Sequence, residues 1–227
     1  MQVTTKAIVL SALKYGDTSL IVKAFTASDG LKSYLLKGVL AAKKGKLKTA
    51  YFQPLTQLER ISEAKVNYHY QSLHTHITKN ALTFFLAEML SNSIQEEEDN
   101  ENLFEFLEAS LQWLDTHEEI ANFHLYFLLI LTKYFGFSPD STEIDAPYFD
   151  LQEGAFVYTP SLNPIIFGEN LYFFKKFLGI NFDAINAIKM NKKQRQELLK
   201  SIILYFELHL HGFRKPKSLA ILNEVFS

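Results

Sequence analysis

Cysteine is absent from all 227 residues, which excludes disulfide bonds, thiolate zinc sites and cysteine nucleophiles and fits a reducing cytoplasm. A long apolar run is also missing. The most apolar segment, residues 123–134, is interrupted by His124, Tyr126 and Lys133 and is too short to span a bilayer. The first residues show no secretory signal. We therefore expect a cytoplasmic protein.

Complete catalytic motifs are lacking as well. Residues 38–46 resemble a phosphate-binding loop, but six residues separate Gly38 from Gly45, and Leu47 stands where a Mg²⁺-binding Ser or Thr is required. His117 and the glutamate after it match the first two residues of the His-Glu-x-x-His motif of zinc proteases. The second histidine of that motif is missing, because Ala121 occupies its position. The sequence therefore predicts a protein that is not an enzyme.

Two pairs of histidines have the spacing of possible metal ligands. His74 and His76 form one pair, and His209 and His211 form the other. Neither pair has a nearby set of carboxylates or thiols to complete a coordination shell. We therefore expect no metal and no cofactor.

Charge is distributed unevenly along the chain. Residues 1–80 carry 12 Lys and Arg against 4 Asp and Glu, a net charge of +8. Residues 81–153 have a net charge of −15 and contain one base, Lys133, whereas residues 154–227 have a net charge of +5. Basic segments of this kind indicate a polyanionic partner, which the acidic stretch would repel. The alternative is that these charges only solvate surface helices.

Hydrophobic periodicity divides the chain near residue 78. Short β-branched stretches with tight turns predict five strands, at residues 3–13, 19–25, 31–39, 52–61 and 68–73. Five such strands in so small a segment predict a closed or nearly closed barrel. Helical spacing then begins near residue 81 and continues at residues 103–114, 120–135, 169–177, 182–188, 192–211 and 217–225. The prediction is an α+β protein with a barrel domain at 1–78, a helical domain at 79–227 and a small hairpin insertion near 137–164.

The best candidate for nucleic-acid contact is a glycine- and lysine-rich loop between predicted strands. Lysines on a mobile loop contact phosphates as point charges without reading bases, and nearby aromatic rings, Tyr34 among them, can stack on unpaired bases. The alternative is that such rings belong to the core. The expected DNA-binding residues are Lys14, Lys37, Lys43, Lys44, Lys46, Lys48, Tyr51 and Arg60.

Short motifs in the same order and spacing resemble the RecO family of recombination mediator proteins over nearly the whole chain. The N-terminal motifs are Ala7-Ile8-Val9-Leu10, Tyr15-Gly16-Asp17-Thr18-Ser19, Phe25-Thr26, Lys37-Gly38 with the lysines after it, and Gln53-Pro54-Leu55. The C-terminal motifs are Leu210-His211-Gly212 and Lys217-Ser218. The resemblance implies an N-terminal OB-fold, a helical domain, binding of single- and double-stranded DNA, and annealing of complementary strands. It also implies joint action with RecR and single-stranded DNA-binding protein (SSB) to load RecA.

The resemblance further implies a pocket in the helical domain for the tail of SSB, which ends in acidic residues and a terminal Phe. Such a ligand needs an apolar slot and cations. The base-rich C-terminal helices offer both. The alternative is that these apolar side chains face the core, and for Phe206 the core position is the favoured interpretation. The candidates are Arg195, Leu199, Lys200, Ile203, Phe206, Arg214 and Lys215.

One departure concerns zinc. Many members of the family carry a four-cysteine zinc site where this chain has residues 137–164 without cysteine. We expect apolar packing to hold a hairpin there instead, at residues 148–151 and 155–158.

Two other functions stay open on the sequence. The sequence is also compatible with an interaction module whose acidic helices hold a basic partner, and with an OB-fold protein that binds RNA. Binding to single-stranded DNA and RNA of matched length across a salt series separates the three readings.

Overall fold

The computed structural model describes residues 4–40, 53–55, 57–58, 66–94 and 99–226. Within these residues the chain is an α+β protein, as the periodicity predicts. It divides into two compact units, which are residues 1–117 with 216–222 and residues 118–215 with 223–227. The domain boundary that the sequence predicts near residue 78 lies inside the first unit, between its strands and its helices.

The first unit begins with an antiparallel sheet. Strands β1 (Ala7–Tyr15), β2 (Ser19–Thr26), β3 (Gly30–Leu36) and β4 (Gln57–Leu58) lie in the order β3-β2-β1-β4. The first two turns contain glycines with positive φ, Gly16 and Gly30, a conformation that other residues adopt with strain. Among the described residues the sheet is open, with β3 and β4 at its edges, so they do not show the closed barrel.

One face of this sheet carries a hydrophobic core cluster of the first unit. Successive side chains of a strand point to opposite faces, and the inward set on the three long strands is small and aliphatic. This core cluster consists of Ala7, Val9, Leu20, Val22, Ala24, Leu36 and Val39. The register shifts between Val9 and Ser11 in β1. This bulge changes which side chains of β1 face outward after that point.

The predicted fifth strand, residues 68–73, is wrong. Within the described parts of the chain this segment pairs with no strand, and its backbone N–H groups at Gln71, Ser72 and Leu73 donate to the carboxylate of Asp115 at 2.8–3.0 Å. The Lys79 ammonium, which is 1% exposed, donates to the Asp115 carbonyl and to the Ser72 hydroxyl, each at 2.8 Å. A buried polar network therefore satisfies this backbone in place of a sheet ladder.

Two helices complete the N-terminal part of the first unit. Helices α1 (Ile77–Ser93) and α2 (Glu101–Thr116) begin close to the predicted positions. Asn100 caps α2 by accepting from the Leu103 N–H at 2.9 Å. The segment 216–222 belongs to this unit through Glu88 of α1, whose carboxylate accepts from the N–H groups of Lys217 and Ser218 and from the Ser218 hydroxyl at 2.6–2.9 Å.

The second unit consists of helices around a small sheet. Its helices are α3 (Phe123–Tyr134), α4 (Gly168–Phe177), a 3₁₀ helix at Phe182–Ala187 and α5 (Lys192–His209), and α6 (Leu219–Val225) follows in sequence. The predicted hairpin is confirmed as β5 (Tyr148–Asp150) and β6 (Ala155–Val157). A third strand, β7 (Ile165–Phe167), pairs with β5 and was not predicted.

Candidate nucleic-acid interface

Two of the predicted DNA-binding residues lie at one end of the N-terminal sheet. Lys14 is opposite Leu20 near the end of β1, Leu20 is opposite Leu36 at the end of β3, and Lys37 follows Leu36 directly. Both lysine side chains are exposed. The other predicted residues, Lys43, Lys44, Lys46, Lys48, Tyr51 and Arg60, lie outside the described residues.

Three other lysines of the first unit are held by the protein itself. Lys6 forms an ion pair with Glu108 at 3.0 Å, and the Lys23 ammonium donates to the Ser91 carbonyl at 2.7 Å. Burial lowers the pKa of Lys23. With Lys79 in the network around Asp115, these three cations are engaged in contacts within the first unit, whereas Lys14 and Lys37 are exposed.

Tyr34, one of the aromatic rings near the lysine-rich loop, is partly buried against the core cluster of the sheet. Burial raises the pKa of its phenol, and the negative charge of Asp29 adds to the shift. Tyr34 therefore packs as part of the inner face, which agrees with the core interpretation of this ring.

The three apolar residues proposed for the SSB tail are in the core of the second unit. Leu199 and Ile203 are each 2% exposed and Phe206 is 0% exposed. The Phe206 ring contacts the rings of Phe137 and Phe213, with centroids 5.2 and 5.9 Å apart. These side chains stabilise α5 against its neighbours and do not line an open slot.

The cations proposed for the same tail are already engaged in part. Lys200 pairs with Glu197 at 2.9 Å and Lys215 pairs with Glu207 at 3.0 Å. Arg195 donates to the Met190 carbonyl, and partial burial lowers the pKa of its guanidinium. Arg214 is exposed. The structure therefore does not bring these cations together with the three apolar residues into one open site.

An open apolar groove lies elsewhere in the second unit, between α4 and the 3₁₀ helix. Its volume is about 490 Å³, and its lining includes two exposed lysines, Lys176 and Lys189. Lys176 also lies over the Tyr172 ring at 5.3 Å, a cation–π contact. The remaining lining residues are Phe173, Ile180, Ala184, Ala187 and Ile188. The groove combines an apolar floor with cations, which the predicted slot does not.

The region of residues 137–164 does not fit a four-thiolate zinc site, because it contains no cysteine. Its buried carboxylate, Asp150, is used within the protein. Asp150 accepts hydrogen bonds from the N–H groups of Gln152 and Glu153, from the Ser161 hydroxyl and from the Asn163 amide. On the inner side of the sheet, the rings of Phe149 and Phe156 meet edge to face at 4.9 Å. Apolar packing and this carboxylate hold the hairpin.

Among the described residues, neither histidine pair gathers further metal ligands. His209 bonds through Nε2 to the Leu151 carbonyl at 2.8 Å and stacks on Phe137 at 5.2 Å. Burial lowers the pKa of His74, although the negative charge of Asp115 opposes the shift. In the part of the chain that the structure describes, no group of three or more His, Cys, Asp or Glu is placed to hold a metal ion.

In the described parts of the chain, no helix combines the length and the apolar character that crossing a membrane requires.

The fold and the exposed basic end of the sheet define the class: an α+β protein whose sequence begins with a small antiparallel sheet and continues in helices. Family models identify it further. The model of the recombination protein O N terminus matches residues 1–80, and that of the recombination protein O C terminus matches residues 74–220. The chain belongs to the RecO family.

The chain is similar in sequence to several proteins over nearly their full lengths, and each of these proteins carries the name DNA repair protein RecO. The protein of Christiangramia forsetii is 53% identical over 238 residues, covering 100% of both chains. That of Flavobacterium psychrophilum is 47% identical over 240 residues, again covering 100% of both. That of Bacteroides fragilis is 36% identical over 242 residues, covering 98% of each. Family and relatives together assign this chain to DNA repair and confirm the resemblance found in the sequence.

Proposed function

We propose that this chain is a recombination mediator that binds single- and double-stranded DNA, anneals complementary strands and, with RecR, helps to load RecA onto DNA coated with SSB. The observation that carries the proposal is the match of both RecO family models, which together span residues 1–220. The net charge of +8 over residues 1–80 supports binding to a polyanion. Lys14 and Lys37 place part of that charge on an exposed end of the sheet.

The proposed mechanism is electrostatic and involves no covalent step, metal or cofactor. The N-terminal domain, which we propose to be an OB-fold, would present its lysines to the phosphates of two strands. Neutralising both strands raises their local concentration and lets them pair. Acidic side chains such as the exposed Glu101, Glu105, Glu118 and Glu119 would keep DNA away from surfaces left for protein partners. The cytoplasm is the proposed location.

Strand annealing tests this function directly. Complementary oligonucleotides, one carrying a fluorophore and the other a quencher, are mixed with and without the protein, first bare and then coated with SSB. The proposal expects faster pairing in both arms, and a weaker effect at high salt because ions screen the contacts. If the protein accelerates neither reaction, the mediator function is overturned. Tighter binding to matched RNA than to DNA would favour an RNA-binding role instead.

We further propose that the SSB tail binds in the helical domain. The groove between α4 and the 3₁₀ helix supports this, since it offers an apolar floor for the terminal Phe and has Lys176 and Lys189 beside it for the carboxylates. The slot first expected at Leu199, Ile203 and Phe206 is filled by the core.

Binding of a peptide with the sequence of the SSB tail, measured for single-lysine and single-arginine variants, distinguishes the cations of the groove from those first expected on α5. Lys176→Ala and Lys189→Ala should each weaken peptide binding by about 1–2 kcal/mol, the range for a charge-assisted contact. Arg195→Ala and Lys200→Ala are the matched comparison and test the location first expected from the sequence. Loss of affinity in this second pair alone would assign the tail to α5, and unchanged affinity in all four variants would exclude both locations.

A further inference from the structure

An exposed apolar row crosses the outer face of the N-terminal sheet. Leu13 of β1 lies directly opposite Ile21 of β2, and Ile21 lies opposite Leu35 of β3. These side chains are 65%, 36% and 47% exposed, and Tyr15, two residues beyond Leu13 on the same strand, is 57% exposed. Side chains paired across adjacent strands lie about 5 Å apart. The four therefore form one continuous strip and not scattered surface residues.

The sheet does not need this strip in order to fold. Leu20, Val22 and Ala24 point to the opposite face and supply the core. Further along the outer face the helices provide cover: Phe25 packs against Phe104 of α2 with ring centroids 6.1 Å apart, and Lys23 donates to Ser91 of α1. The apolar row occupies the part of the outer face that these contacts leave exposed. A contiguous exposed apolar strip of this kind marks a binding surface.

The charges at this end of the sheet indicate what binds there. Lys37 lies just beyond β3 at this end of the sheet and is exposed. Lys14 is exposed at the same end, but it is opposite Leu20 and so belongs to the other face of β1. The acid in the turn between β1 and β2 is Asp17. Within residues 1–80, bases exceed acids by 8. An apolar strip with a ring, at a basic end of the sheet, matches a chain of phosphates that carries unpaired bases. A duplex keeps its base faces stacked inside and offers mainly phosphates to such a surface.

We propose that Leu13, Tyr15, Ile21 and Leu35 pack against unpaired bases and thereby give this protein a preference for single-stranded over double-stranded DNA. This inference rests on the DNA binding proposed above and extends it to specificity. The lysines attract either form through phosphate contacts that carry no information about pairing. The apolar row contributes only when bases are unstacked, through burial of apolar surface and stacking on Tyr15.

The test compares one double variant with a matched control. Ile21→Ser with Leu35→Ser removes the centre of the row, and Leu162→Ser removes a side chain that is 107% exposed in the second unit. Affinity is measured for an unstructured oligothymidine and for a duplex of equal length, each at low and high salt. The double variant should bind the oligothymidine about tenfold more weakly and the duplex as before. The control should bind both as the unchanged protein does.

Three results would overturn the proposal, and each has a different meaning. If the unchanged protein binds neither DNA, the proposed function itself fails. If it binds both and the double variant loses neither, or loses both equally, DNA binding stands and the row has no role in specificity. If instead the double variant only abolishes self-association in sedimentation, the row is a contact between copies of this chain. Circular dichroism checks that the variants fold, and Tyr15→Ser provides a second variant at the edge of the strip.

Discussion

At the scale of single residues, burial determines the charge state of His124. This side chain is 3% exposed in the second unit. Burial, with a smaller contribution from the positive charge of Arg195, lowers its pKa from 6.5 to about 3. The folded protein therefore keeps the imidazole neutral over a range of pH in which the unfolded chain binds a proton.

This difference predicts a loss of stability in acid. As pH falls below 6.5, the unfolded state gains a proton at His124 that the folded state does not, so the free energy of unfolding falls until about pH 3. The slope contributed by this group is at most about 1.4 kcal/mol per pH unit. In His124→Gln, denaturant unfolding measured between pH 6.5 and about 4.5 should show a shallower decline. His69→Gln, at an exposed position, is the control, and equal slopes in all three proteins would refute the assignment.

Asp115 is the second residue whose role depends on its environment. Its carboxylate accepts hydrogen bonds from three consecutive backbone N–H groups and from the Ser72 hydroxyl. Burial opposes its ionisation, but these hydrogen bonds together lower the pKa of its carboxyl. In Asp115→Asn the amide cannot accept on both sides, so one N–H group loses its acceptor.

We expect Asp115→Asn to lower the free energy of unfolding by about 2 kcal/mol, since hydrogen bonds to a charged group are lost in a buried site. The protein has one tryptophan, Trp113, which lies two residues from Asp115 and reports unfolding of the first unit by fluorescence. Glu105→Gln makes the same acid-to-amide change at an exposed position of α2. Equal destabilisation by both substitutions would mean that the network around Asp115 has no special role.

At the scale of elements, α5 begins with a capping box. Asn191 accepts from the Gln194 N–H at 2.9 Å, and the Gln194 side chain accepts from the Asn191 N–H at 2.8 Å. The helix has no acid in its first turn but carries Lys192, Lys193 and Arg195 there, which is unfavourable beside the positive end of the helix dipole. The capping box therefore stabilises a first turn that the basic side chains of the helix destabilise.

Asn191→Ala should cost about 1 kcal/mol of stability, the usual effect of losing an N-cap. Thermal unfolding followed by circular dichroism measures it. Asn181→Ala is a close control, because Asn181 precedes the 3₁₀ helix without a side-chain cap hydrogen bond. A control that is destabilised as much as Asn191→Ala would show that the effect does not come from capping.

The small sheet shows how an element persists without metal ligands. Gly154 has a φ of +67°, and a Cβ at this position would lie 2.7 Å from the Tyr205 hydroxyl. That hydroxyl donates to the Phe137 carbonyl at 2.7 Å, and burial raises the pKa of Tyr205 to about 12. The turn between β5 and β6 therefore needs glycine both for its backbone conformation and for its close contact with α5.

At the scale of the whole molecule, DNA affinity should depend on salt through the lysine loop. Replacing Lys43, Lys44 and Lys46 together by Ala should reduce the slope of log K against log salt concentration by about two to three units, because each phosphate contact releases a counterion. Fluorescence anisotropy with a labelled oligonucleotide across a salt series measures the slope. Lys133→Ala, in the acidic stretch, should leave it unchanged. An unaltered slope in the triple variant would remove the loop from the interface.

Patterns within short stretches predicted most of the regular structure. Turn residues and β-branched runs indicated β1, β2 and β3, and helical spacing indicated α2 and α5, because these signals depend on neighbours a few residues apart. The segment 68–73 failed because its partner is the carboxylate of Asp115, more than forty residues away. Its alternating tyrosines resemble a strand, and only the folded chain shows that its N–H groups are satisfied elsewhere.

By itself, the sequence determined the family, the α+β class, the absence of thiol chemistry and the uneven distribution of charge, since all of these are carried by residue types and their order. Tertiary structure alone decided which sides of the elements are open. The spacing of Leu199, Ile203 and Phe206 marks one helix face. Apolar residues recur at the same helical spacing whether that face is buried or lines an open slot, so the sequence does not distinguish the two. Likewise, Leu13, Ile21 and Leu35 are far apart in sequence, and strand register alone aligns them into one exposed row.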